Sequence, residues 1–331
     1  MFDKIDQAQE RRIFRYVTTV GLATFLALWF NWPLAFCTPL LTAKFITDKP
    51  QFHILHVKQL AYALLSTAVI GFAVSTGLPE YKIAFLSILT LGMLWAYYLF
   101  TDPKWVMFAT FLMIELILLP SITIIDQASA LTVGIGFAFS GTLAVALYAL
   151  SHVYFPEEEK TDFVGFPASP LTKEMRWTAA IRAWVISFPF VCFYFYFQLS
   201  QILLTVAFVM LLSLMASSET SGKTALFFTV SNILAGLITF VTFLIISLAP
   251  NMYVYMMVVL SVITLFGIKI YTVPQKAPIY ITAFTGFNVL MGTSMSSGAL
   301  DDKFYVRIFQ LFLVLLYMVF MTYFIESNAR K

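Results

Sequence analysis

The sequence predicts an all-α, polytopic membrane protein of about twelve transmembrane helices, arranged as two parallel six-helix repeats with no soluble domain. Three observations predict it. The 331 residues are 60% hydrophobic and 11% charged, whereas a soluble domain carries about 25% charge; a bilayer can solvate so apolar a surface and water cannot. The apolar residues fall into runs close to the roughly 20 that a helix needs to cross a hydrocarbon core about 30 Å thick. The basic residues gather on one side of the membrane that those runs imply.

Apolar runs and polar breaks place the spans, in order, at 14–30, 33–46, 57–77, 82–100, 105–125 and 128–152, then at 179–198, 200–216, 225–248, 251–270, 278–297 and 305–325. The first follows a polar start, Met1 to Glu10, and leads into the second without a small-residue cleavage site, so no cleavable signal peptide is expected. The second and eighth are short enough to be re-entrant, and charge decides between the alternatives. With twelve crossings and a cytoplasmic N-terminus, only Lys82, Lys303 and Arg307 of the 20 lysines and arginines lie outside, leaving 17 inside. If neither short segment crosses, the loops between them flip and the split becomes 10 to 10. The positive-inside rule therefore favours crossing by both, with both termini cytoplasmic.

The halves resemble each other. Each opens with basic residues, Arg11, Arg12 and Arg15 in one and Arg176 and Arg182 in the other. Each continues with a long helix, a tight external turn, a short helix and a polar cytoplasmic loop, Thr47–Pro50 or Ser217–Lys223. An even number of spans per half gives both halves one orientation, the plan of a parallel repeat. The expected division is an N-terminal repeat over 1–154, a solvated cytoplasmic linker over 155–176 that carries Glu157, Glu158 and Glu159, and a C-terminal repeat over 177–331.

Few polar residues stand inside these spans. Glu115 lies at the midpoint of Trp105 to Ile125, where an acidic group costs roughly 2.5–3.5 kcal/mol to insert. Five residues on, Pro120 frees the carbonyl of Leu116. The pair reads either as a proton or substrate site or as a neutral carboxyl joining two helices. Asn288 holds the equivalent midplane place in the second half, among Thr285, Gly286, Gly292, Thr293, Ser294 and Ser296. It reads as a substrate-binding partner for Glu115 or as a packing amide. Asp126, Asp301 and Asp302 follow these spans on the external side, as vestibule or as loop solvation. Arg15 and Arg182, at the cytoplasmic ends of the first and seventh spans, could attract an organic anion or only anchor topology. Trp32, with Pro33, starts the short second helix near the external face, where unpaired N–H groups could meet an anion.

Other classes find little support. The net charge of +3 is divided among many short loops, with no basic patch for nucleic acid. Cys37 and Cys192 lie in apolar segments, so no disulfide framework is expected. Ser217 to Thr224 ends in Gly-Lys-Thr, but Ser217 replaces the first glycine of a P-loop. His53 and His56 have metal-like spacing without a third ligand. No Ser-His-Asp, HExxH or CxxC pattern appears, and neither an enzyme, a metal nor a cofactor is expected.

The basic residues opening the first span (Arg12, Arg15), the turn Asn31-Trp32-Pro33-Leu34-Ala35-Phe36, the following Thr38-Pro39-Leu40-Leu41-Thr42-Ala43 and a second half built the same way carry a resemblance. The chain resembles the fusaric-acid-resistance (FUSC) and aromatic-acid-exporter superfamily, and more closely its compact DUF2955-type bacterial members. The cytoplasmic domain that larger relatives carry after each membrane half is not expected here, and Lys58 stands where many have an arginine. The resemblance implies proton-driven export of small, often aromatic, organic acids with a periplasmic membrane-fusion protein of the HlyD type. A membrane-embedded transferase acting on lipid or glycan, with His53, His56 or His152 as its base, and a non-transporting envelope scaffold are the alternatives. Substrate identity and the choice between monomer and homo-oligomer stay open.

Overall fold

A computed structural model describes residues 6–76, 79–124, 126–157, 171–197, 222–296 and 317. They are helical throughout, with short turns and no strand among them. The helices are α1 (Gln7–Phe30), α2 (Cys37–Asp48), α3 (Ile54–Ser75), α4 (Lys82–Phe100), α5 (Val106–Thr123), α6 (Gln127–Tyr154), α7 (Lys173–Phe197), α8 (Gly222–Leu248), α9 (Met252–Thr272) and α10 (Ala277–Ser296), with a 3₁₀ turn, Pro274–Lys276, between the last two. Eight helices among the described residues are long and apolar enough to cross a membrane. Ten of the spans read from the sequence coincide with helices; 200–216, and 305–325 apart from Tyr317, lie outside the described residues.

The helix ends follow from local chemistry. The Asp6 N–H donates to Gln9 Oε1 at 3.4 Å as α1 begins. Asn31 ends α1 in the left-handed region (φ 43°), a conformation that asparagine tolerates better than most residues. Leu34 (φ 59°) completes the turn into α2. Pro120 stands inside α5, which continues to Thr123. Asn251 caps α9 by accepting the Val254 N–H at 2.8 Å. At its 12 residues, α2 is about 18 Å long, short of the hydrocarbon thickness. A crossing here has to use the preceding turn as well as the helix.

The described residues fall into two compact units, one drawn from Met1–Ala61, Phe139–Phe163 and Phe227–Phe304, the other from Tyr62–Ala138, Val164–Leu226 and Tyr305–Lys331. Each draws on both halves of the sequence, and the chain passes from one to the other within α3, α6 and α8.

In the first unit α1 packs against α2 and α9, and α10 packs against α9 and α2. Tyr16 forms its centre, edge-on to Tyr271 at 6.1 Å and to Phe284 at 5.8 Å. Gly267 lets α9 approach, since a Cβ there would lie 3.0 Å from Tyr16 Cδ1. In the second unit α4 packs against α5 and α7. Phe85, Leu89, Met93 and Tyr97 of α4 meet Leu112, Met113 and Leu116 of α5 and Ala180, Ala183 and Val191 of α7. The two alanines make room for the rings of α4. Within this core Tyr97 OH donates to Ser187 Oγ at 2.6 Å, both side chains being fully buried. Large apolar side chains such as Ile83 and Leu248 point outward, 86% and 85% exposed, as a lipid-facing surface requires.

Tyr97→Phe removes the α4–α7 hydrogen bond and should cost about 0.5–1.5 kcal/mol, read as a lower melting temperature of the detergent-solubilised protein.

Candidate functional site

Glu115 is the tenth residue of the 18-residue helix α5 and is 0% exposed. Neither carboxyl oxygen has a hydrogen-bond partner among the described residues. The carboxyl lies against the backbone of α3: a Cβ built on Gly71 would sit 2.7 Å from Glu115 Cβ and 3.3 Å from its Oε2. Glycine at position 71 therefore makes room for the glutamate. Leu119, one turn on, borders the same gap at 3.3 Å. The surroundings are apolar, and low dielectric disfavours a charged carboxylate there. The residue read from the sequence as a proton or substrate site is closed off from solvent in this conformation, because α3 packs against it at Gly71.

Asn288 is 7% exposed and its Nδ2 donates to Phe284 O at 2.9 Å, within its own helix. It lies in the first unit and Glu115 in the second, so the midplane pair expected from the repeat is not assembled within either unit. Asp126 caps α6, accepting the Ser129 N–H at 2.8 Å and the Ala128 N–H at 3.3 Å. The Ser129 hydroxyl and N–H hold its carboxyl below the usual aspartate range. Trp32 Nε1 donates to Ser140 Oγ at 2.7 Å, and that hydroxyl donates to Leu34 O at 3.0 Å. The first amides of α2 are also used, Cys37 N–H by Leu34 O at 2.9 Å and Thr38 N–H by Ala35 O at 3.0 Å. The anion seat expected at this helix start is therefore filled by the turn itself. Arg182 is partly buried on α7, and Asp301 and Asp302 lie outside the described residues.

Arg15 gathers the densest polar cluster. Its side chain is 1% exposed, and its Nη2 donates to Glu157 Oε1 at 2.7 Å and to Pro50 O at 3.2 Å. Its Nη1 donates to Phe155 O at 3.2 Å. Arg12 Nη2 takes the other carboxylate oxygen, Oε2, at 2.8 Å. Burial pushes the Glu157 carboxyl up, and the hydrogen bonds and charges of Arg12 and Arg15 outweigh it, leaving the group below the usual glutamate range. Pro50 O also lies 3.1 Å from His152 Nε2, while His152 Nδ1 lies 3.0 Å from Tyr148 O. A neutral imidazole can donate from only one of these nitrogens. Tyr148 OH donates toward Lys49 O at 3.3 Å and Gln51 O at 3.2 Å. The ends of α1 and α6 and the loop after α2 are thus fastened together.

Glu157, Tyr148, Pro50 and Tyr271 were not singled out as site residues from the sequence. Residues 155–157, at the start of the linker read from the sequence, lie against α1. The available signal is the span count read from the sequence, which puts the start of α1 and the end of α6 on one side, so that an acid just past α6 can meet Arg12 and Arg15. A second arginine cluster is simpler. Arg176 Nε donates to Thr101 Oγ1 at 2.8 Å, its Nη2 to Tyr98 O at 3.2 Å, and its guanidinium lies 4.2 Å from the Tyr98 ring centre, where a cation suits the C-terminal dipole of α4. No group of three His, Cys, Asp or Glu side chains able to hold a metal occurs among the described residues.

Two outcomes are expected. Gly71→Val should lower thermal stability by about 1–3 kcal/mol through overpacking, and Gly71→Val with Glu115→Ala should recover part of that loss. For Glu157 the folded value lies below the ordinary one of 4.5. Its contribution is therefore complete above the unfolded value and lost as pH falls through the folded one. Melting of the wild type in acid should show this loss, whereas Glu157→Gln, weaker by about 1.5–3 kcal/mol at neutral pH, should lack it.

No curated protein and no solved structure matches the chain. From Arg12 of the arginine cluster to Ser151 in the last turn of α6, residues 12–151 match the family model described as a protein of unknown function, DUF2955, which supports a DUF2955-type protein.

Proposed function

We propose that this protein is a secondary transporter of the bacterial inner membrane, exporting small, often aromatic, organic acids by proton exchange, with Glu115 as the group that carries the proton. The observation behind this reading is a fully buried carboxyl midway along an apolar helix, with neither oxygen hydrogen-bonded among the described residues. Intramembrane ionisable residues cost energy and mark ion and substrate pathways by default. A carboxyl serving only to join helices would be expected to bond a neighbouring helix, and Glu115 has no such bond among the described residues. The closed conformation suits a protonated, occluded state. The cycle also requires a second conformation in which water reaches Glu115.

Twelve crossings in two parallel repeats, with both termini cytoplasmic, complete the proposal. The packing of α1 on α9 and of α7 on α4 supports it: the first helix of each half meets the fourth of the other. Repeats of this kind build substrate sites near the bilayer midplane. Membership of the FUSC superfamily, a periplasmic membrane-fusion partner and the lack of enzymatic activity belong to the same reading.

Efflux of a radiolabelled aromatic acid from cells expressing Glu115→Gln should fall at least tenfold, and carbodiimide should label Glu115 of the wild type, detected by peptide mass spectrometry. Proton-dependent efflux unchanged in Glu115→Gln would remove this residue from the mechanism.

A further inference from the structure

One turn of α5 rests against glycines of three other helices. A Cβ on Gly71 of α3 would lie 2.7 Å from Glu115 Cβ, and one on Gly92 of α4 would lie 2.8 Å from Leu116 Cδ1. The two methyl groups of Leu119 divide between helices: Cδ1 is 3.3 Å from the Gly71 position and Cδ2 is 3.1 Å from that of Gly134 on α6. All of these residues belong to one unit. A glycine inside a helix weakens that helix, and here three helices carry the weakness around a single turn. Of the eight helices able to cross a membrane, α5 has the largest buried share, 67% of its span. Glu115 therefore changes its exposure only if part of this wall gives way. The stretch that follows is suited to bending. Pro120 has no N–H to offer Leu116 O, and its ring crowds that carbonyl. The Ser121 hydroxyl donates to Ile117 O at 2.5 Å and the Thr123 hydroxyl to Leu119 O at 2.9 Å. Bonds of this kind, to the carbonyl four residues back, weaken and often bend a helix. Close static packing would by itself account for the glycines. It does not account for a ladder loosened at carbonyls 116, 117 and 119 of the same stretch.

We infer that α5 bends at Pro120 and turns its Glu115–Leu119 face within the notches at Gly71, Gly92 and Gly134, and that this movement, not the departure of α3 alone, brings Glu115 to water. The movement supplies the second conformation that the reading of Glu115 as proton carrier requires, and it rests on that reading. With hydrogen in place of a side chain at the three facing positions, α5 has no methyl group to pass as it turns. The glycines also separate the two ways of uncovering the carboxyl. Gly71 faces Glu115 itself, whereas Gly92 and Gly134 stand on α4 and α6 and meet leucines. A gate made by α3 alone would be indifferent to a methyl group added at position 92 or 134, and a turning α5 would be stopped by one. Pro120 then acts as the hinge, since proline and back-bonding hydroxyls are identifiable causes of helix bending.

Water access to Glu115 can be read without flux. Full-length protein in phosphatidylcholine nanodiscs is treated with a water-soluble carbodiimide. The carboxyl adds across its C=N bond, and the O-acylisourea so formed rearranges to a stable N-acylurea with no atom lost. Peptide mass spectrometry follows the rate at Glu115, with Glu80, which is exposed ahead of α4, as the reference in the same sample. Gly92→Ala and Gly134→Ala should each slow labelling of Glu115 at least fivefold relative to Glu80. Leu116→Ala added to the first, and Leu119→Ala added to the second, should restore the rate by reopening the notch. Pro120→Ala, which returns an N–H to Leu116 O, should slow labelling without lowering the melting temperature, an outcome that damage to the fold would not give. It carries the test if a glycine variant does not fold. Wild-type rates in Gly92→Ala, Gly134→Ala and Pro120→Ala would overturn the turning of α5 while leaving Glu115 as the proton carrier. A wild type whose Glu115 is never labelled while Glu80 reacts would overturn both.

Discussion

Hydrocarbon offers no hydrogen bonds, and most of this structure answers that constraint. Each helix satisfies its own backbone, and the hydroxyls inside the spans largely return to the same helix. Thr19 donates to Arg15 O, Thr24 to Val20 O and Thr239 to Ala235 O, all within one turn and all buried. Such bonds remove a polar group without demanding a partner helix. Two hydroxyl contacts that do leave the helix have structural work: Tyr97 to Ser187 ties α4 to α7, and Trp32 to Ser140 ties the turn after α1 to α6. Glu115 stands out against this background because it follows neither pattern.

The same constraint explains where charge is tolerated. Arg15 is as buried as any core leucine, yet it sits near the end of α1 where three backbone or carboxylate acceptors converge on it. Arg176 does likewise at the end of α4, using a carbonyl, a hydroxyl and an aromatic face. Long side chains reach the membrane boundary from such positions. Their contacts join segments that lie far apart in sequence.

Much of this architecture is legible in the residue order. Span 82–100 matches α4 at both ends, because Lys82 and the polar residues after Phe100 bound a uniformly apolar run. The start of α1 is seven residues earlier than the apolar run suggests, since polar helix formers such as Gln7 and Glu10 extend a helix into water without any hydropathy signal. Glu115 is legible because a charge amid leucines is anomalous at any register. The depression that accommodates it is not, for a glycine in an apolar helix has many uses and only packing shows that Gly71 faces this carboxyl. The Arg15–Glu157 contact is invisible for a different reason: its partners stand 142 residues apart, and one of them looks like an ordinary member of an acidic loop.

The pairing of α1 with α9 bears on biogenesis. The principal neighbours of α1 include a helix at 252–272, so a nascent chain inserts its first hairpin long before the ribosome has made the surface that will bury Tyr16. Until then α1 must rest on lipid and on α2, with its aromatic face unmatched. Synthesis at roughly 5–20 residues per second makes that interval many seconds long. A chain laid down in this order can close its first unit only near the end of translation, which exposes the unfinished bundle to membrane quality-control proteases throughout its assembly.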